Sequence, residues 1–401
     1  MNPLTKSLPP YLQNLLKLTL GDRNLIPQVA VYYVTMQCNL NCTYCEDFGS
    51  RRNYQVTQNP PLEDAKQILR VIRTGFSRLW ITGGEPLMHP QILDLLSYAR
   101  NELRFREISL ITNGTLLSQF IRQPNSELLR HGDTGENLNK ELRDSVSPWL
   151  AENNYQHLHR TQVQVLPIIH YLDRLIISLD SVDLNTLNLV SLPTIYAENV
   201  IASAREVAKL QKTHGFKLSL NAVITPETLP YMDSLILFCL ENHIWLSLSP
   251  QSVNNLPRYE LVTSKEYRAF IEKVIKVKKH GGFILGSTSY LNMLIDQTPY
   301  ECYPTLAPRI TPDGWLAYPC RPMEKAGGTP AAQGGLAVNL LDVNTWDEAW
   351  KIAQEKYGEA PTSCVSCFQQ CYAEPSLMQA RPLEYLSERI RGVDLSGYAP
   401  G

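Results

Sequence analysis

The sequence predicts an α/β protein with a partial (β/α)6 TIM-type barrel and a small C-terminal α+β domain. Six β-type runs alternate with helical patterns over the first 250 residues, and alternation of this kind is typical of parallel strands joined by right-handed crossovers. Six such units are too few for a complete eight-stranded barrel. After Pro250 the pattern becomes rich in Pro and Gly. A chain of 401 residues can hold one large core and a smaller one.

The predicted strands are rich in Val, Ile, Leu and aromatic residues, and a turn or polar residue follows most of them. They begin at Gln28, Arg78, Glu107, Arg174, Phe216 and Ile244. Between the first two, one helical face carries Ala65, Ile68, Leu69 and Ile72. A polar insertion at about 120–159 interrupts the alternation. It is interpreted as a surface insertion, with a substrate-binding or lid element as the alternative.

These patterns divide the chain into four parts. The predicted parts are an N-terminal segment (1–27), the barrel (28–256), a helical linker with a basic helix (257–290) and the C-terminal domain (291–401). In the last part, Pro312-Asp313-Gly314 predicts a hairpin turn between two short strands.

Composition excludes several classes of protein. With 44% hydrophobic residues, 19% charged residues and a net charge of -2, the chain is neither disordered nor broadly basic. We therefore expect no nucleic-acid partner. The run Leu235–Leu240 is far shorter than a membrane helix, and the N-terminus lacks the layout of a signal peptide. A cytoplasmic protein without a membrane partner is expected.

The nine cysteines are the most informative residues. An odd number without an export signal does not indicate a disulfide framework. Cys38, Cys42 and Cys45 follow the first predicted strand with C-x3-C-x2-C spacing, so three thiolates share one loop. Three thiolates leave an open position on zinc, copper(I) or an iron-sulfur cluster. Cys239, inside the run LILFCL, is interpreted as a buried hydrophobic residue.

The segment CNLNCTYC, together with Gly83-Gly84-Glu85-Pro86 after the second strand, resembles the signature of the radical S-adenosylmethionine (SAM) superfamily. The resemblance implies that the three cysteines hold a [4Fe-4S] cluster whose open iron binds SAM. It also implies that Tyr44 contacts the adenine. The backbone of Gly83 and Gly84 and the carboxylate of Glu85 would receive the methionine ammonium group.

Further motifs at strand ends resemble the same superfamily. Ile111-Thr112-Asn113-Gly114 is similar to its TNG turn, and Ser178-Leu179-Asp180 to its S-x-D pattern, whose serine contacts the SAM carboxylate or ribose. Asn221 and Ser249 lie where polar SAM contacts are found. The alternative is that these side chains satisfy backbone groups at strand ends.

A second cysteine group lies in the C-terminal domain. Its members are Cys302, Cys320, Cys364, Cys367 and Cys371. Two cysteines beside a hairpin plus a C-x2-C turn suit a structural zinc site. The region also resembles the SPASM and twitch auxiliary-cluster domains. That resemblance implies one auxiliary [4Fe-4S] cluster held by the first four, while Cys371 either replaces one of them or lies outside the cluster.

The resemblance implies reductive cleavage of SAM to methionine and a 5'-deoxyadenosyl radical, which abstracts hydrogen from the substrate. Flavodoxin or ferredoxin would supply the electron. Oxidative modification of a ribosomally made peptide is the favoured interpretation. The alternatives are oxidation or other modification of a small metabolite and, in a different class, a non-catalytic zinc-binding module.

Overall fold

A computed structural model of the chain describes residues 10–23, 25–45, 59–117, 168–253, 256–320, 335–358 and 368–390. The predicted insertion at about 120–159 lies outside these residues. In the described part of the chain, no helix combines the length and the apolar character needed to cross a bilayer.

Helices and strands alternate in the order that the sequence predicts. The helices are α1 (Pro10–Thr19), α2 (Leu62–Gly75), α3 (Ile92–Ser97), α4 (Leu184–Val190), α5 (Thr194–His214), α6 (Met232–Glu241), α7 (Tyr259–Val262), α8 (Lys265–Lys279), α9 (Thr288–Asp296), α10 (Trp346–Tyr357), α11 (Gln370–Ala380) and α12 (Pro382–Ile390). The strands are β1 (Ala30–Thr35), β2 (Arg78–Gly83), β3 (Glu107–Thr112), β4 (Arg174–Ser178), β5 (Lys217–Ile224), β6 (Trp245–Pro250), β7 (Ser252–Val253), β8 (Leu256–Pro257), β9 (Arg309–Ile310), β10 (Trp315–Tyr318) and β11 (Gly335–Asn339).

Strands β1 to β6 form the predicted parallel sheet in sequential order, which confirms the α/β class and the partial barrel. Each crossover that the structure describes contains a helix on the outer face. The predicted helical face in α2 is fully buried there: Ala65, Ile68, Leu69 and Ile72 are each 0% exposed. All carboxyl ends of parallel strands meet at one end of the sheet, so the predicted motifs share that end.

The C-terminal hairpin extends the barrel sheet. Strand β9 pairs in parallel with β1, with Arg309 opposite Val31, and β10 returns antiparallel beside β9. The Tyr32 hydroxyl donates to the Pro312 carbonyl at 3.1 Å, which ties the hairpin turn to β1. The full sheet order is β11-β10-β9-β1-β2-β3-β4-β5-β6. The C-terminal hairpin therefore belongs to the same sheet as the barrel strands, although the sequence predicts it in a separate C-terminal domain.

Carboxylates from the last two helices cap the N-terminus of α9. The Ser287 amide donates to Glu374 Oε1 at 2.8 Å, and the Thr288 amide donates to Glu388 Oε1 at 2.7 Å. Lys278 Nζ lies 3.3 Å from Glu388 Oε2. Negative groups are favourable at a helix N-terminus, so these contacts hold α11 and α12 against α9. Burial raises the pKa of Glu374 to about 7, and the amide donor at Ser287 opposes this rise.

The raised pKa of Glu374 predicts a pH dependence of stability. A carboxyl that titrates at about 7 when folded and about 4.5 when unfolded binds more protons in the folded state between these values. Its contribution to the free energy of unfolding is complete below about pH 4.5 and is lost as the pH rises through 7. In Glu374→Gln, urea unfolding between pH 5 and 7.5 should show a smaller loss of stability than the wild type. The exposed Glu272→Gln should keep the wild-type profile, and an unchanged slope in Glu374→Gln would contradict the assignment.

Candidate active site

The cysteine loop after β1 is anchored on the helix that follows β4. The Thr43 amide donates to the Val190 carbonyl at 2.8 Å, and the Thr43 hydroxyl donates to the same oxygen at 3.1 Å. The Cys42 thiol donates to the Ser191 carbonyl at 3.6 Å. Each of these carbonyls lies at the C-terminal end of α4, where backbone acceptors lack helical partners. The loop is thus fixed at the carboxyl ends of the strands.

The three thiols of the loop are close enough to influence one another. Burial is the main cause that raises the pKa of Cys42, and the charges of Asp180, Cys38 and Cys45 raise it further. Thiolates bind metal only when deprotonated. A positively charged iron-sulfur core would offset the burial and mutual repulsion that oppose ionisation here. The donor set therefore fits the three-cysteine cluster site that the sequence predicts.

The glycine turn after β2 packs directly on the backbone where the cysteine loop begins. The Gly84 amide donates to the Thr35 carbonyl at 2.9 Å, and the Glu85 amide donates to the Gln37 carbonyl at 2.7 Å. A Cβ on Gly84 would lie 2.0 Å from the Gln37 oxygen, and Gly83 has a φ of +149°. Both positions require glycine for this close approach.

Glu85 is buried and uses both carboxylate oxygens within the protein. Oε1 accepts from the Leu87 amide at 2.9 Å and from the Thr112 hydroxyl at 2.8 Å. Oε2 accepts from the Asn113 amide at 2.6 Å. Burial raises the pKa of Glu85 to about 7, while these three donors lower it. The carboxylate joins the glycine turn to the TNG turn, and its predicted contact with the SAM ammonium stays a prediction.

A polar network beside Cys38 includes two residues, Asn39 and Thr115, that the sequence did not single out. Asn113 Nδ2 donates to Asn39 Oδ1 at 2.9 Å and to Cys38 Sγ at 4.0 Å. Asn39 Nδ2 in turn donates to the Thr115 hydroxyl at 2.8 Å. Asn39 lies between the first two cysteines and Thr115 follows the TNG turn, so their positions beside both motifs could have indicated this role.

Tyr44 is held by the aspartate of the S-x-D pattern. Its hydroxyl donates to Asp180 Oδ2 at 2.6 Å, and Asp180 Oδ1 accepts from the Val223 amide at 2.9 Å. Burial raises the pKa of Asp180, while the bonds from Tyr44 and Val223 lower it. The aspartate therefore links the cysteine loop to β4 and β5, whereas the sequence had emphasised the serine of the same pattern.

A cavity of about 280 Å³ opens at the carboxyl end of the sheet. Tyr44, Asn221 and Ser249, which the sequence predicts as SAM contacts, lie in its wall. Ser178 pairs with Asn221 across β4 and β5 but is not part of the described lining. The Asn221 amide oxygen also accepts from the Ser247 hydroxyl at 3.0 Å. The structure thus gathers three of the predicted polar contacts beside the cysteine loop.

Comparison with known proteins agrees with this arrangement. Residues 32–134 match the family model of the radical SAM superfamily. The chain contains a radical SAM domain. Such a domain implies a [4Fe-4S] cluster and SAM as cofactors.

Relatives of known name match short stretches of the chain. The chain is 32% identical over 94 residues to a probable GTP 3',8-cyclase of Methanococcus maripaludis. The matched stretch covers 22% of this chain and 30% of that protein. It is 31% identical over 97 residues to an S-adenosylmethionine-dependent nucleotide dehydratase of Danio rerio, covering 23% and 26% respectively. The chain spans only 26–37% of the length of four curated cyclases.

The fold of the chain is similar to that of a solved structure. A crystal structure of Streptococcus suis SuiB bound to S-adenosylmethionine superposes with a TM-score of 0.54 and 18% identity. The superposition covers 85% of this chain and 70% of SuiB. It supports the fold beyond the matched radical SAM segment.

The second cysteine group is described in part. Cys302 and Cys320 are buried, and the Ser376 hydroxyl donates to Cys302 Sγ at 4.0 Å. Cys371 lies at the start of α11, in the cavity wall. Cys364 and Cys367 lie outside the described residues. The auxiliary ligand set therefore stays a prediction.

The bond between Asp180 and Tyr44 predicts a role in SAM binding. In Asp180→Asn the acceptor loses its charge, and a bond to a charged group contributes roughly 1.5–3 kcal/mol. We expect the KM for SAM in a 5'-deoxyadenosine assay to rise about tenfold, with unchanged iron content at the cysteine loop. Asp233→Asn, on the exposed surface, serves as the matched control. An unchanged KM in Asp180→Asn would contradict this role.

Proposed function

We propose that the protein is a radical SAM enzyme that oxidises a peptide substrate. One observation carries the proposal: the cysteine loop, the glycine turn and the TNG turn are joined by hydrogen bonds directly beside a cavity. The bonds from Gly84 to Thr35 and from Asn113 to Glu85 connect three strand ends. The sequence motifs thus form one physical site.

The residues of this site would hold cofactors and exclude water. When bound, the [4Fe-4S] cluster and SAM supply the 5'-deoxyadenosyl radical that abstracts hydrogen. Cys38, Cys42 and Cys45 would hold the cluster, and the Asp180 bond would fix the Tyr44 ring. The cavity lining includes Val31 and Trp80, apolar side chains that would keep a reactive radical away from solvent.

The cavity rim favours a substrate that is larger than the cavity. Ser252 and Pro257 line the cavity and belong to the short β7–β8 hairpin. Leu256, directly before Pro257 in the sequence, is 49% exposed, and Tyr259, two residues after it, is 73% exposed. Exposed apolar side chains beside a cavity offer contacts to a peptide whose reacting residue enters it. A small metabolite is the alternative, since the cavity alone would suffice for it.

The proposal includes an auxiliary iron-sulfur cluster held by Cys302, Cys320, Cys364 and Cys367. Such a cluster would supply a one-electron acceptor near the substrate, which makes the net reaction an oxidation. A flavodoxin or ferredoxin would reduce the SAM-binding cluster. The zinc-module alternative gives no role to the bonds that join the glycine turn and the TNG turn to the cysteine loop.

Replacing one cysteine of the loop tests the cofactor assignment. Cys42→Ala should lower 5'-deoxyadenosine formation by the dithionite-reduced enzyme to background, because two thiolates cannot retain the cluster. Iron analysis should still find the auxiliary cluster. The buried Cys239→Ala is the matched control and should keep both iron and activity. Stoichiometric zinc without a brown chromophore after anaerobic reconstitution would support the zinc module instead.

Substrate class is tested with the reconstituted wild-type enzyme. It is incubated with SAM, dithionite and candidate precursor peptides encoded beside its gene, and each peptide is examined by mass spectrometry. Net oxidation should remove two hydrogens, a loss of about 2 Da. Consumption of a small metabolite with no mass change in any peptide would contradict the peptide proposal.

A further inference from the structure

The cavity contains a guanidinium group that the SAM site does not use. Arg309, on β9, lies in the cavity wall. Among the lining residues that the structure describes, it is the one with a permanently charged side chain. Its Nη1 donates to the Tyr33 hydroxyl at 2.7 Å, and its Nε donates to the Tyr372 hydroxyl at 2.7 Å. Its Nη2 donates to Cys371 Sγ at 2.7 Å. Two phenols and a thiol therefore hold the guanidinium in one orientation.

The guanidinium retains unused donors. A guanidinium group has five N–H donors, and the three bonds above leave one on each terminal nitrogen. No carboxylate in the described part of the chain pairs with Arg309. The guanidinium carbon of Arg309 also lies 4.9 Å from the centroid of the Tyr372 ring and 5.8 Å from that of the Tyr33 ring. The two aromatic rings therefore help to stabilise the positive charge. A cation held this rigidly in a cavity is pre-organised to bind an anion.

The sheet register separates Arg309 from the predicted methionine end of SAM. Arg309 pairs with Val31, four residues before Thr35, which pairs with Gly83. At about 3.3 Å per residue, the backbone of Arg309 lies roughly 13 Å below the glycine turn. The predicted SAM contact Glu85 follows that turn. The backbone of Arg309 therefore lies deeper in the barrel than the predicted site of the SAM ammonium group.

We propose that Arg309 binds a carboxylate or phosphate group of the substrate and thereby positions the substrate in the cavity. This inference rests on the proposed function, because it assigns the deep part of the cavity to the substrate. For a peptide substrate, the anionic group would be an acidic side chain or the terminal carboxylate. The planar guanidinium suits both carboxylate and phosphate oxygens.

The test uses two probes with the reconstituted, SAM-saturated enzyme. Glutarate represents a carboxylate and inorganic pyrophosphate a phosphate, and each is titrated by calorimetry at matched ionic strength. We expect at least one of them to bind, with a Kd at least tenfold weaker in Arg309→Met. Arg309→Lys should weaken binding less, because lysine keeps the charge but loses the planar fork. The exposed Arg268→Met is the matched control and should bind like the wild type.

The outcomes separate the substrate classes and the two proposals. Preference for glutarate indicates a carboxylate-bearing substrate, and preference for pyrophosphate indicates a phosphorylated one. The inference is overturned if neither probe binds, if both bind Arg309→Met as tightly as the wild type, or if Arg309→Met weakens SAM binding tenfold. Circular dichroism verifies that each variant folds. Failure of the proposed function would instead appear as absent 5'-deoxyadenosine formation in the wild type, whatever the probes do.

Discussion

The close approach of the glycine turn to the end of β1 is the constraint on which the site depends. Two backbone bonds, from Gly84 to Thr35 and from Glu85 to Gln37, leave no room for a Cβ at Gly84. They bring the carboxyl ends of β1 and β2 together and place the first cysteine beside the TNG turn. The same contact directs Glu85 inward, where it accepts bonds from the next strand. The remaining site geometry follows from these bonds.

The site also concentrates groups whose charged forms are disfavoured. Burial raises the pKa of Glu85, Asp180 and Cys42, and the described residues near them supply hydrogen-bond donors more than cations. Such an arrangement contributes little to stability, since buried carboxylates and thiols cost free energy unless they are compensated. A bound cluster would supply that compensation at the cysteine loop. The cost of assembling the site thus indicates that it is built for a ligand.

Local patterns predicted most of the barrel and its motifs. The six strands and the buried face of α2 follow from apolar periodicity, and the motif residues follow from the resemblance to the radical SAM superfamily. The pairing of β9 with β1 could not be predicted, because a two-residue strand carries no information about its partner. Arg309 and Cys371 are 62 residues apart, and only the folded chain brings them together. The internal donors to Glu85 could not be predicted either, because its motif indicates a ligand contact and carries no information about Thr112 and Asn113.

The attachment of β9 to β1 has a consequence for how the chain folds. Tyr32 and Pro312 are 280 residues apart, so one edge of β1 has no partner until most of the chain has been synthesised. An unpaired edge strand is a template for aggregation, and contacts this distant in sequence form slowly. During synthesis, the strand that leads into the cysteine loop therefore stays exposed on one side. The first barrel strand to be synthesised is therefore the last to gain its second neighbour in the sheet.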